Sequence, residues 1–453
     1  MVIVREKSFY KNMLVLALPI MLQNLISFGI NFADNLMVGR LGENAIAGVY
    51  MGGQIQIFLT LLVLGVEGAV MVLGAQYWGR RDLKSIKDII AIGVRVSLIF
   101  GVVFCAASFF FTSSILRLFT PDEAVITEGA AYLKIVSFSF LLFSVSQVLI
   151  SSMRSVEIVS IGLYISVLSL ILNIVLNTIF IFGYLGAPAM GAAGAALATL
   201  ISRAAETACM LFYVLIADKR LRMKFSDFFH INDTLLRDFI HYGVPVIAGQ
   251  AVWSINMLTQ SAIIGRISSE AVAAVSVSNM LFNMVNIGMA GLSAAVSIIT
   301  GKTVGAGEFD LMKLYAKTVQ ILFIGIGIIS GFAIFISKAA FLSFYALEPA
   351  TVILAEQFLN VLSVTVIGSS YQAACLAGLV KAGGDTGFVF KNDTIFVFLV
   401  VLPSAFIALF VLRAPAWVVF MCLKSDQILK CFVAVVKINS FNWMKNLTRD
   451  FSG

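Results

Sequence analysis

A chain of 453 residues that is 60% hydrophobic and only 12% charged cannot cover a water-facing surface, for which soluble domains use about 25% charged residues. This composition excludes a soluble enzyme, a disulfide scaffold and a disordered protein, and 35 glycines against 7 prolines suit closely packed membrane helices. The net charge of +7 leaves two readings, nucleic acid or cytoplasmic loops facing anionic lipid.

In chain order, twelve apolar stretches each reach the roughly 20 residues of a spanning helix: 12–38, 46–78, 90–112, 128–150, 159–183, 192–216, 241–264, 271–300, 315–336, 352–379, 393–412 and 415–437. They are too long for barrel strands of about ten residues, and they do not alternate. The first stretch, from Asn12, is too long for a signal-peptide core and lacks a small-residue cleavage site, so it reads as a span. With the N-terminus in the cytoplasm, inner segments carry about 20 Lys and Arg and outer loops about 5 (Arg40, Arg117, Arg266, Lys338 and Arg413), a strong positive-inside bias. The charge is spread over loops and forms no compact basic patch, so nucleic acid is not expected as a partner. Both termini are expected on the cytoplasmic side of the cell membrane. The longest polar connection divides the chain into a first lobe at 1–216, a linker at 217–240, a second lobe at 241–437 and a tail at 438–453.

The two halves repeat. At a shift of 226 residues, Pro19 falls on Pro245, Gly39-Arg40 on Gly265-Arg266, and Gly65, Ala69, Val70 and Gly79 on Gly291, Ala295, Val296 and Gly305, without a gap. Six spans return the chain to its starting side, so the halves are parallel, related by a pseudo-two-fold axis along the membrane normal. Repeats of this type put the substrate path between the halves. The expected architecture is therefore all-α, with twelve transmembrane helices in two six-helix lobes that rock to give alternating access.

An ionisable residue within a span is a functional candidate by default. Asp34 lies about five residues, roughly 8 Å, before the outer turn at Gly39. Asn173 and Asn177 share one face of span five, and Thr199 lies at a similar depth in span six. A carboxylate, two amides and a hydroxyl form an all-oxygen set with one negative charge, suited to a proton or to Na⁺ as the coupling ion. The bland alternative is hydrogen bonding between helices. In the second lobe Gln260 occupies the repeat position of Asp34, and span seven offers Gln250, Trp253, Asn256 and Gln260 for substrate or gating but no acid. Glu206 is three residues from Arg203 and should pair with it; Glu67 reads equally as structural or functional. Lys424, Asp426 and Lys430 are unusual charges in span twelve, expected to face polar protein interior. Pro19, Pro245 and Pro403 predict kinks. Scattered cysteines and two histidines leave little for a metal site, and no catalytic motif or cofactor signature is present.

These residues resemble the multidrug and toxic compound extrusion (MATE) family over essentially the whole chain. The resemblance rests on LALPIMLQNLISFGINFADNLMVGRLGENAIAGV, GAQYWGRRD, LNIVLNTIFIFGYLGAPAMGAAGAALATLISR, YGVPVIAGQAVWSINMLTQSAIIGRISSEAVAAVS and LVKAGGDT, in this order and at these spacings, and looks nearer to DinF-like than to NorM-like members. It implies two six-helix lobes around a V-shaped cavity and export of organic, often cationic, compounds against Na⁺ or H⁺. Asp34 matches the family's span-one aspartate, and Asn173 and Thr199 match its polar partners. Asn177 stands where some members have Asp, which leaves the coupling ion open; Gln250 is the nearest polar match to the NorM branch's span-seven acid. No cofactor is implied, and the partners expected are a small-molecule substrate and the bilayer, for a monomer. The alternative within transport is a flippase of lipid-linked oligosaccharides, which would need several cavity arginines for pyrophosphate; Arg95, Arg154 and Arg203 are the only mid-span candidates. An enzyme would need clustered acids, histidines or a nucleophile pair.

Overall fold

The computed structural model describes residues 3–345 and 347–449, and among them the regular structure is helical. The first six predicted spans correspond to α1 (Lys7–Val38), α2 (Glu43–Arg80), α3 (Leu83–Phe110), α5 (Glu123–Ser155), α6 (Ser160–Phe182) and α7 (Gly191–Phe212); a short α4 (Thr112–Arg117) joins α3 to α5. The second set comprises α8 (Asp233–Gly265), α9 (Ser269–Gly305), α10 (Phe309–Leu342), α11 (Pro349–Gln372), α12 (Thr386–Ile395) with α13 (Leu402–Phe406), and α14 (Ala416–Leu423) with α15 (Asp426–Asn439). Ten of the helices are long and apolar enough to cross a membrane. The other two predicted spans are the 33-residue α8, whose Gln250, Asn256 and Gln260 lower its hydropathy, and the pair α14 and α15, split by a break at Lys424 and Ser425.

Local chemistry sets the helix ends. Asp82 accepts from the Ser85 N–H, Asp122 from Ala124 and Ser268 from Ala271, so each caps the helix that follows. Pro349 starts α11, where its missing N–H costs nothing. Gly183 closes α6 at φ 77°, a left-handed conformation that favours glycine. The helices α1 and α8 continue through Pro19 and Pro245. Around Pro403 the helix is interrupted: wide i→i+5 turns at Phe396–Val401 and Ile407–Val411 flank the five-residue α13, because proline removes a backbone donor.

The chain forms two compact units: Leu22–Gly74 with Arg81–Gly243, and Met1–Met21, Ala75–Arg80 and Val244–Gly453. In the unit containing Leu22–Gly74, α5 packs on α3 and α7, and α7 on α6. Its α2 and α5 come so close that a Cβ on Gly48 would lie 2.6 Å from the Gly129 nitrogen. In the other unit, α11 packs against α9, α10, α14 and α15 around a core that includes Phe358, Leu362, Phe420 and Leu423. Within this unit the Val4 N–H donates to Thr318 Oγ1 (2.9 Å), and Phe9 packs on Tyr315 at 4.5 Å between ring centroids.

The tail is also docked within that unit. The Trp443 indole is fully buried, lying where a Cβ on Gly383 would stand. Gln76 donates to the carbonyls of Ala382 and Lys445 and accepts from the Leu447 N–H. Asp385 joins Lys437 at 2.7 Å and Lys445 at 2.8 Å. Burial pushes the Asp385 carboxyl up, but the two ammonium groups outweigh it and hold it below the ordinary carboxylate value.

Large apolar side chains stay exposed along the helices. On α1 alone these are Leu14, Val15, Leu18, Leu22, Leu25, Phe32 and Leu36. Such a surface calls for hydrocarbon rather than water, and the protein is an integral, multi-pass membrane protein.

Candidate functional site

The site-bearing part of the first half is built on α1 and α6. Helical spacing puts Asn173 and Asn177 one turn apart on α6, and both are buried. Asn177 Nδ2 donates to Asp34 Oδ1 (2.5 Å) and to Asn173 Oδ1 (3.2 Å). The Asn177 nitrogen is therefore fully used, while its carbonyl oxygen is buried without a partner among the described residues. An unmet buried acceptor costs about 1–3 kcal/mol. The result is acceptor-rich, with a carboxylate, the Asn173 oxygen and the orphaned Asn177 oxygen grouped together. Such oxygens suit a proton or a hard monovalent cation.

Thr199 lies on α7, partly buried, and joins none of these hydrogen bonds among the described residues. Tyr132, which the sequence did not single out, lies within electrostatic reach of Asp34, as does Arg203.

Glu206 is in a closed network. Ser146 Oγ and Gln147 Nε2 each donate to Oε1 at 2.9 Å, and Ser169 Oγ (3.4 Å) and Arg203 Nη1 (2.7 Å) reach Oε2. The expected Arg203–Glu206 pair is present, and four donors engage the carboxylate. Glu67 lies within electrostatic reach of Arg154, whose Nη2 donates to Gln23 Oε1 at 2.6 Å. A lone glutamine four residues after Pro19 was the available sequence signal for Gln23. The third mid-span arginine, Arg95, is committed to the carbonyls of Phe228 and His230 in the linker.

On α8 the four polar candidates divide. Gln260 Nε2 donates to Asn256 Oδ1 (3.1 Å), and Gln260 Oε1 accepts from Lys424 Nζ (3.3 Å). Gln250 is partly buried and Trp253 half-exposed, and neither joins this chain. Lys430 pairs with both Asp393 (2.9 Å) and Asp426 (3.1 Å). As expected, Lys424 and Lys430 of the last span are buried in protein.

Comparison with known proteins agrees with this architecture. The MatE family profile matches residues 19–179 and again 245–407, two copies that begin 226 residues apart. Among curated relatives, a probable multidrug resistance protein, YoeA of Bacillus subtilis, is 26% identical over 367 residues, 79% of this chain and 78% of the relative. The multidrug resistance protein NorM of Vibrio cholerae is 25% identical over 420 residues, 89% and 88% of the two chains. Of solved structures, the MATE transporter VcmN of Vibrio cholerae superposes with a TM-score of 0.87 at 15% identity, over 97% of this chain and 98% of that one. An outward-facing multidrug resistance MATE transporter gives 0.83 at 19%, over 95% and 96%.

Proposed function

The chain belongs to the MATE family of membrane transport proteins, and from that premise we propose that it is a secondary antiporter, exporting organic cationic or amphipathic compounds in exchange for H⁺ or Na⁺ by alternating access. The observation that carries the reading is the hydrogen-bonded group in which Asn177 Nδ2 joins Asp34 to Asn173. Ionised, Asp34 accepts from the Asn177 nitrogen. Protonated, it becomes a donor, and the Asn177 oxygen is an unengaged acceptor at the same place. Protonation thus reverses the hydrogen bonds when both amides turn, so that Asp34 and Asn173 Nδ2 donate to the Asn177 oxygen. Na⁺ would instead draw the Asp34 carboxylate and the Asn173 and Asn177 oxygens together, with Thr199 brought in by movement of α7. Either event changes the charge and bonding of α1, the helix that also contains Pro19.

Names of relatives support export of drugs, and the prior engagement of Arg95, Arg154 and Arg203 disfavours a pyrophosphate-binding flippase. The same reading has the protein act as a monomer in the cell membrane, and the lysine and arginine bias supports cytoplasmic termini. Efflux of an organic cation from proteoliposomes, with Na⁺ and pH gradients imposed separately, tests direction, coupling ion and substrate class together. Accumulation that ignores both gradients rejects the antiporter.

A further inference from the structure

Asp34 and Gln260 are equivalent positions in the repeat, and their surroundings have opposite hydrogen-bonding character. Around Asp34 acceptors are in excess. Around Gln260 donors are in excess. An ammonium can only donate, so Lys424 fixes the Gln260 oxygen toward itself, which aims the Gln260 nitrogen at Asn256 Oδ1. Both amide oxygens are then engaged within the chain. What remains is two protons of the ammonium, the second N–H of Gln260 and the Asn256 Nδ2 group, which donates to nothing among the described residues.

The charge is as lopsided as the bonding. Lys430 takes both nearby carboxylates, Asp393 and Asp426. Lys424 is 9% exposed and has no carboxylate within ion-pair distance among the described residues, although Asp426 lies within electrostatic reach; its contacts are the Gln260 oxygen at 3.3 Å and the Phe420 ring, with 5.5 Å to the centroid. A buried ammonium whose hydrogen bond within the chain goes to a neutral amide keeps donors for a ligand, and in a membrane span such a group marks a ligand pathway. It is held at the break between α14 and α15, where the Lys424 N–H bonds back to Phe420 and Met421, so its position is fixed by backbone.

We propose that Lys424, with Gln260 and Asn256, is an anion site for the carboxylate of an amphipathic or zwitterionic organic substrate. This rests on the transporter reading and adds to it: one half holds the coupling cation, and the other recognises a negative group on the cargo. Phe420 supplies an apolar wall beside the ammonium, and Trp253, one turn before Asn256 on α8, is half-exposed.

The test is equilibrium binding of 1-pyrenebutyrate and of its uncharged methyl ester to the purified full chain in phosphatidylcholine nanodiscs, read against empty nanodiscs. The wild-type protein should prefer the carboxylate by about ten- to hundredfold, the value of a hydrogen-bonded charge. Lys424→Met should erase that preference, with ester binding kept, and Lys424→Arg should retain it within about threefold. Lys424→Gln serves if the Met variant does not purify, with the same expected loss. A wild-type protein that binds acid and ester equally, or a Lys424→Met protein that still prefers the acid, overturns the proposal. Cation efflux by the wild-type protein is scored separately in proteoliposomes, so a failed transporter reading and a failed anion site give different results.

Discussion

Replacing Asp34 by Asn should separate the fold of this protein from its work. The carboxylate accepts one hydrogen bond, from Asn177 Nδ2 at 2.5 Å. An amide oxygen in its place still accepts that bond, so the loss is the difference between a charge-assisted bond, about 1.5–3 kcal/mol, and a neutral one, about 0.5–1.5 kcal/mol. Relief from holding a charge out of water opposes this loss. The net change should stay within about 1 kcal/mol, less than about 4 °C in apparent Tm for a chain of this size. Transport should respond very differently, because the amide at position 34 cannot take up a proton or neutralise Na⁺. We expect Asp34→Asn to insert and purify normally, to melt within that margin, and to show efflux no greater than protein-free vesicles under either gradient. Wild-type efflux from the variant would refute the coupling role. A fall in melting temperature above 10 °C would show that the carboxylate is chiefly structural.

Glu206 should behave in the opposite way. Glu206→Ala strands Arg203 and three further donors, at a cost of about 3 kcal/mol, and the variant's melting temperature should fall well below that of Asp34→Asn. Asp385→Asn should release the tail, seen as trypsin cleavage beside Lys445 at least about tenfold faster. Because the folded Asp385 value is depressed, its stabilisation is present above the ordinary carboxylate value of about 3.9 and is lost as pH falls through the folded value; tail protection followed by hydrogen exchange should therefore be flat from pH 8 to pH 5. Gly368→Ala drives a Cβ into the Gln427 carbonyl oxygen where α11 meets α15, so a loss of about 1–3 kcal/mol is expected. Gly249→Ala, with nothing within 4 Å of the added atom, should be neutral or slightly stabilising in the same thermal assay.

The helices were legible because unbroken apolar runs of spanning length allow few alternatives, and the Asp34, Asn173 and Asn177 grouping followed from depth and four-residue spacing. Thr199 shows the limit of that reasoning. Counting residues from a turn gives height along a helix but not the direction its side chain faces, and Thr199 makes no hydrogen bond to the amides among the described residues. Lys424 was conspicuous as a charge in an apolar stretch, yet its bond to Gln260 joins residues 164 apart in sequence, a pairing that only tertiary packing creates. The predicted last span hid a break because Lys424-Ser425 lies between two runs that each read as helical. Position in the chain likewise does not show what holds residues 3–21 and 438–449, which depends on contacts such as those of Val4, Gln76 and Trp443.

The stitched tail makes late truncation as serious as damage to a helix. Chain ends usually tolerate loss because little holds them. Here a premature stop ahead of Trp443 would uncover Gly383, leave the Gln76 amide without its acceptors at Lys445 and its donor at Leu447, and take one of the two cations from Asp385. Nonsense and frameshift alleles in that short stretch should behave as null alleles, and a cell's proteases would clear their products as unfinished.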